Sequence, residues 1–325
     1  MRLHMKRLGL ALALALAVCA SAATSASAAP RLVRVKNHLP RGVQPAAVVV
    51  APEGTAYVQG GNLKRHELVP YVLVFSPSGK LTGKVPIPVG LEIRAFGNGQ
   101  LYAFTPTAEH VCGLNPKTGA RVSEVGALPM ESFPGNLGFP TGVAVGPGGT
   151  IYESGGELSV AEPGNLESRS NVLAIHMFNS AGSYVGSIQP QFATTGGVTV
   201  IAVNASGDVL GYWVDEKGVG TEGVLSPQGA ELEHFIDLPP RPEVQGGSFG
   251  ANSNSIYAGV VQSHGVKGKV FVAQVSLTGR ILQRFGIAKA HDVSNPWEYG
   301  SVQVAPNGEG WALRVGTGGL YRFHV

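Results

Sequence analysis

Gly142-Val-Ala-Val-Gly-Pro-Gly-Gly-Thr-Ile-Tyr152 combines three signals: a run of β-formers, a tight turn, and an aromatic residue three positions past the last turn glycine. Gly and Pro interrupt extended chain and supply turn conformations, so the segments on either side read as two strands of one hairpin. The same cadence recurs along the chain. Gly54 leads to Tyr57, Gly99 to Tyr102, Gly207 to Leu210, Asn254 to Tyr257 and Gly308 to Trp311, each after a β-rich run such as Ala47-Val-Val-Val50. The bulky residues are 45 to 58 positions apart. That period belongs to an array of small sheets rather than to a single large one.

Each repeat carries a second landmark, an apolar residue followed by a Pro/Ser/Gly turn. Examples are Phe75-Ser-Pro-Ser-Gly79, Leu114-Asn-Pro-Lys-Thr-Gly119, Phe178-Asn-Ser-Ala-Gly182, Leu225-Ser-Pro-Gln-Gly229 and Val275-Ser-Leu-Thr-Gly279. Two hairpins per repeat make four strands, a to d. The sixth repeat has room after Trp311 for only one more strand, Leu320 to Val325. Its missing outer strand is found at the other end of the chain. Arg31-Leu-Val-Arg-Val-Lys36 and His38-Leu-Pro40 resemble the d strand Lys80-Leu-Thr-Gly-Lys-Val-Pro86. The expected fold is therefore all-β: a six-bladed β-propeller of four-stranded antiparallel blades, the last blade completed by the N-terminal strand. Such closure removes the free edge that an open array would present.

Residues 1–28 read as a signal peptide: Arg2, Lys6 and Arg7, then the apolar stretch Leu8 to Val18, then the small-residue site Ala26-Ser-Ala28. Cleavage there leaves 29–325 as a single propeller domain, secreted or otherwise extracytoplasmic. The apolar stretch is shorter than the ~20 residues of a membrane span, so no stable membrane insertion is expected after the signal is removed. The whole chain has 24 basic and 21 acidic residues, and loss of Arg2, Lys6 and Arg7 leaves 21 of each. A neutral mature chain has no global electrostatic attraction to nucleic acid. Cys19 leaves with the signal and Cys112 remains alone, so no intrachain disulfide is available. Cys112 is either a small buried hydrophobe or, two residues after His110, a nucleophile beside a base.

Phe139-Pro-Thr-Gly-Val-Ala-Val-Gly-Pro-Gly-Gly-Thr-Ile-Tyr152, with Val172-Leu-Ala-Ile-His-Met-Phe-Asn-Ser-Ala-Gly182, resembles the NHL-repeat propellers. The likeness extends in weaker copies over almost the whole mature chain. It implies a scaffold shared by lactonases of the gluconolactonase type, lyases and pure binding modules, and it does not choose among them. NHL repeats commonly carry an Asp shortly after the Tyr. Here Tyr57 is followed by Val58-Gln59, Tyr152 by Glu153-Ser154 and Tyr257 by Ala258-Gly259.

In a four-stranded blade the a–b and c–d turns lie on one face of the disc, and the b–c and d–a loops on the other. The irregular insertions all fall on the second face: Gly61 to Pro70, Met130 to Phe139, Gly155 to Ser170 and Lys289 to Tyr299. Long loops on a rigid scaffold are where binding concentrates. The first functional reading is therefore a binding module that takes a protein or glycan on this long-loop face. Its candidate residues are Trp297, Tyr299 and Trp213 for stacking, with Glu157 and Arg169 for polar contacts. The alternative is a metal-dependent lactonase or lyase with its site in the central channel. That site needs oxygen and imidazole ligands converging from several inner strands. Candidates are Glu92, Glu298, His66, His110 and His291, holding a divalent metal such as Ca²⁺; no other cofactor is expected. Glu92 has a second possibility, pairing with Arg94 on the same face of its strand. No phosphate-binding glycine loop, nucleophile elbow or paired-cysteine motif occurs.

Overall fold

Among the described residues, twenty-four strands form six separate four-stranded antiparallel sheets. The computed structural model describes residues 31–62, 67–104, 111–125, 136–159, 174–192, 194–215, 220–234, 242–250, 255–264, 267–289, 301–314 and 319–325. All the blades lie within the compact unit Arg31–Val325. Blade 1 comprises β2 (Gln44–Val50), β3 (Ala56–Asn62), β4 (Glu67–Phe75) and β5 (Leu81–Pro86). Blade 2 comprises β6 (Glu92–Gly97), β7 (Gln100–Phe104), β8 (Val111–Leu114) and β9 (Arg121–Val125). Blade 3 comprises β10 (Asn136–Val145), β11 (Ile151–Ser159), β12 (Ile175–Phe178) and β13 (Tyr184–Ile188). Blade 4 comprises β14 (Thr194–Val203), β15 (Val209–Asp215), β16 (Gly220–Leu225) and β17 (Glu231–His234). Blade 5 comprises β18 (Pro242–Phe249), β19 (Ser255–His264), β20 (Lys267–Ser276) and β21 (Ile281–Lys289).

Blade 6 is composite. Its first three strands are β22 (Ser301–Val304), β23 (Glu309–Arg314) and β24 (Gly319–His324), and its outer strand is β1 (Val33–Val35). Val33, Arg34 and Val35 pair antiparallel with Arg322, Tyr321 and Leu320. The N-terminal strand thus closes the ring, as the sequence pattern predicts. The chain folds as a six-bladed β-propeller.

The repeated turn and aromatic each have a physical role. The a–b turn glycines Gly54, Gly99, Gly149, Gly207 and Gly308 all have φ between +71° and +89°, where a Cβ is strained. The bulky residue three positions on is buried in every blade and projects into the joint with the next one. Tyr57 packs with Leu91 and Ile93 of blade 2, and Tyr152 with Val198 and Val200 of blade 4. Trp311 packs with Val48 and Phe75 of blade 1. Among the described residues the core is accordingly six apolar clusters, one per joint.

The insertions on the long-loop face need a correction. Stretches read as irregular loop are in part extensions of the hairpins. Asn136 to Phe139 and Gly155 to Ser159 are paired strand, with Leu137 opposite Leu158 and Gly138 opposite Glu157. A bulge between Pro140 and Gly142 takes up one residue and lets the ladder resume beyond it. In blade 5 the pairing of β19 with β20 likewise runs unbroken from Ser255–Ser276 to His264–Lys267, toward the same face.

Candidate functional site

The inner strands β2, β6, β10, β14, β18 and β22 carry the residues available to a channel site. Glu92 opens β6, and its carboxylate meets the Arg94 guanidinium at 2.9 Å. A bulge leaves Arg94 unpaired between the Ile93–Ala103 and Ala95–Tyr102 pairs, and Arg94 also rests over the Phe104 ring at 5.3 Å. Glu92 is thus paired with its neighbour. Ser248, another inner-strand polar residue, is buried and its Oγ accepts the Val304 N–H at 2.8 Å, joining blade 5 to blade 6. Thr199 and Gln303 are partly buried. Among the described residues, no three His, Cys, Asp or Glu side chains come together in a metal-binding group.

Trp213 lies within the 3/4 joint. It is 3% exposed and tilted against Phe192, with ring centroids 5.0 Å apart. Its neighbour Tyr212 is the residue that faces outward, at 39% exposure. Packed in this way, Trp213 has no free face for a ligand. Glu157 sits in β11 opposite Gly138, on the strand extension toward the long-loop face. Trp297, Tyr299, Glu298, Arg169, His66, His110 and His291 lie outside the described residues. Cys112 is buried in β8 within the joint between blades 1 and 2, and desolvation raises its thiol pKa. A buried thiol held protonated is a packing residue.

Sequence reasoning passed over Glu153. It is 6% exposed, yet its Oε2 is buried without a hydrogen-bond partner. Burial alone pushes its pKa up to about 8. Across the sheet it pairs with Val143 on one side and His176 on the other, and His176 pairs in turn with Ser187. Directly paired residues project on one face, so Glu153, His176 and Ser187 form a row across blade 3. His176 Nδ1 lies 2.9 Å from Ser187 Oγ, which lies 2.7 Å from the hydroxyl of the exposed Tyr184. Burial lowers the His176 pKa. A signal was present in the repeat itself. The residue after the bulky one is Val58, Ala103, Gly211, Ala258 or Ala312 in the other blades, and a carboxylate only in blade 3.

No protein-family model matches the chain, and no curated protein matches it either. Solved structures do resemble it. Regucalcin from Agrobacterium tumefaciens, described as a calcium-binding protein, is 13% identical over 89% of this chain and 92% of its own, with a TM-score of 0.47. The Swd1 β-propeller domain from Myceliophteria thermophila is 12% identical over 90% and 100%, with a TM-score of 0.44. BamB from Moraxella catarrhalis is 11% identical over 86% and 84%, with a TM-score of 0.42. Strand order and ring closure, not these likenesses, establish the fold. No helix among the described residues is long and apolar enough to cross a membrane.

Proposed function

We propose that the chain is an exported, diverged NHL-type propeller, mature from residue 29, that binds a protein or glycan on its long-loop face. The observation that carries this reading is the state of Glu92. A channel metal site draws on inner-strand carboxylates, and the one within β6 is already committed to Arg94 at 2.9 Å. Metal binding would have to break that pair or share it with a guanidinium, which opposes a cation. Extension of the blade 3 and blade 5 hairpins toward the long-loop face gives the binding reading a rigid base on which Glu157 stands. Trp297, Tyr299 and Arg169 would supply the ring and charge contacts.

Two measurements on purified mature protein test this. The first is divalent-metal content, with thermal melts in Ca²⁺ and in chelator. The binding reading expects no stoichiometric metal and superimposable melts. Stoichiometric metal and a melt lowered by chelator would overturn it, since a ligand held by the native state stabilises that state. The site would then be sought among Glu92, Glu298, His66, His110 and His291 by screening lactones. The second is a glycan and protein array probed with wild type and a Trp297→Ala, Arg169→Ala double variant. Capture by wild type and its loss in the variant is the expected result.

A further inference from the structure

Of the six joints, the one between blades 2 and 3 is unlike the rest. Ile151 and Phe178 pack there against Tyr102, Phe104, Val111 and Val125. Glu153 is two residues from Ile151 on β11 and so faces the same joint. Its cross-strand partner is His176, whereas the corresponding pairs elsewhere are Val58–Leu73, Ala103–Cys112, Gly211–Gly223, Ala258–Ala273 and Ala312–Tyr321. A carboxyl with a buried, unpartnered oxygen in an apolar joint is tolerated as a neutral acid and opposed as an anion. We propose that the Glu153–His176 row is a protonation-controlled joint: with the proton on Glu153 blades 2 and 3 stay closed, and its loss favours their opening.

The surroundings offer Glu153 little help as an anion. β10 presents Val143, and β12 presents His176. β13 presents the hydroxyls of Ser187 and Tyr184, beyond His176. Blade 2 presents Tyr102, whose hydroxyl is bonded to Asn98, the apolar side chains of the joint, and the mutually paired Glu92 and Arg94, whose guanidinium rests over Phe104. No charged group contributes to the Glu153 shift, which desolvation alone produces.

Glu153 binds its proton more tightly in the closed joint than when exposed, so the closed state is favoured at low pH and loses ground as pH rises from the ordinary Glu range to about 8. His176, held neutral by burial, works in the opposite direction, but only below the ordinary histidine value of 6.5. Between pH 6.5 and about 8 the Glu153 effect stands alone, and the closing constant falls by about tenfold per pH unit. Above that it levels off.

The test is a set of urea and thermal unfolding curves from pH 5 to 9 on wild type, Glu153→Gln and Glu153→Leu. Hydrogen exchange in β7, β11 and β12 is compared between proteins at each pH, so that intrinsic exchange rates cancel. Wild type should lose stability and protection relative to both variants between pH 6.5 and 8, and the differences should be smallest at pH 5. Parallel pH profiles in all three proteins would overturn the proposal. If Glu153→Gln does not fold, Glu153→Leu carries the comparison, since the other blades use apolar residues at this position. Infrared titration of wild type adds a check that needs no variant. A protonated-carboxyl band that persists to pH 7 supports the proposal, and its absence at that pH overturns it.

Discussion

Gln59 stands in the middle of the 1/2 joint with no exposure to water. Its Nε2 donates to the Leu91 carbonyl at 2.8 Å and the Val69 carbonyl at 3.2 Å, and its Oε1 accepts the Ile93 N–H at 3.0 Å. One neutral amide thus satisfies backbone groups at the start of blade 2 as well as of its own blade. Other joints use the same device: Ser154 accepts the Val200 N–H, Asn98 donates to the Gly149 carbonyl and Trp311 to the Gly54 carbonyl. Gln59→Leu keeps the volume and strands those buried groups, each costing about 1–3 kcal/mol. We expect an overall loss of about 3 kcal/mol, seen as a lower urea midpoint with an unchanged slope. Glu92→Gln breaks an ion pair with a half-exposed arginine and should cost less than about 1 kcal/mol. Equal losses would show that the amide is no staple. Little of this was legible in the sequence, because the two partners that cross the joint, Leu91 and Ile93, lie 32 and 34 residues away. The Glu92–Arg94 pair was legible from their two-residue spacing on a strand, although a bulge at Arg94 interrupts the alternation that suggested it. Tyr212 and Trp213 show the limit: alternation buries one of two neighbours, and the sequence does not say which.

The outer strands share a feature that periodicity conceals. In blades 1 to 5 the pairing of the third and fourth strands shifts just after its first pair, leaving Thr82, Val122, Val185, Leu232 and Leu282 as bulged residues. Each lies three positions past the turn glycine: Gly79, Gly119, Gly182, Gly229 and Gly279. The turn itself was read from the sequence. The bulge was not, because an extra residue on one strand changes no composition. Its effect is to break an exposed edge into short, kinked pieces that a second sheet cannot extend. It also explains why Val122, Val185, Leu232 and Leu282 are each about half exposed. Replacing all four by Lys should leave stability nearly unchanged, within about 0.5 kcal/mol per site, and raise solubility. A drop of several kcal/mol in the urea-derived stability would mean that these side chains pack against something in the native protein.

At the scale of the ring, six joints stack blade on blade, and a circular array has no end blades to fray. The ring and its closure were legible because both follow from counting repeats and noticing an incomplete one. The binding site was less so, because it depends on which loops converge over the disc, and spacing along the chain does not encode that. Closure rests on few residues. Val35 is the one buried residue of β1, and it packs with Leu313, Leu320 and Phe75 in the 6/1 joint. Without β1, β24 would become an edge of a different kind from the others. It pairs with β23 in six consecutive register steps with no bulge, so it would offer a regular ladder to any other strand. Deleting 29–36 should therefore do two things at once: lower the melting temperature through the weakened joint, and produce oligomers in size-exclusion chromatography through the bare edge. A peptide spanning 29–40, added in trans, should pair with β24 and reverse both effects. A truncated chain that stays monomeric and melts like the full one would show that the ring holds without its N-terminal strand.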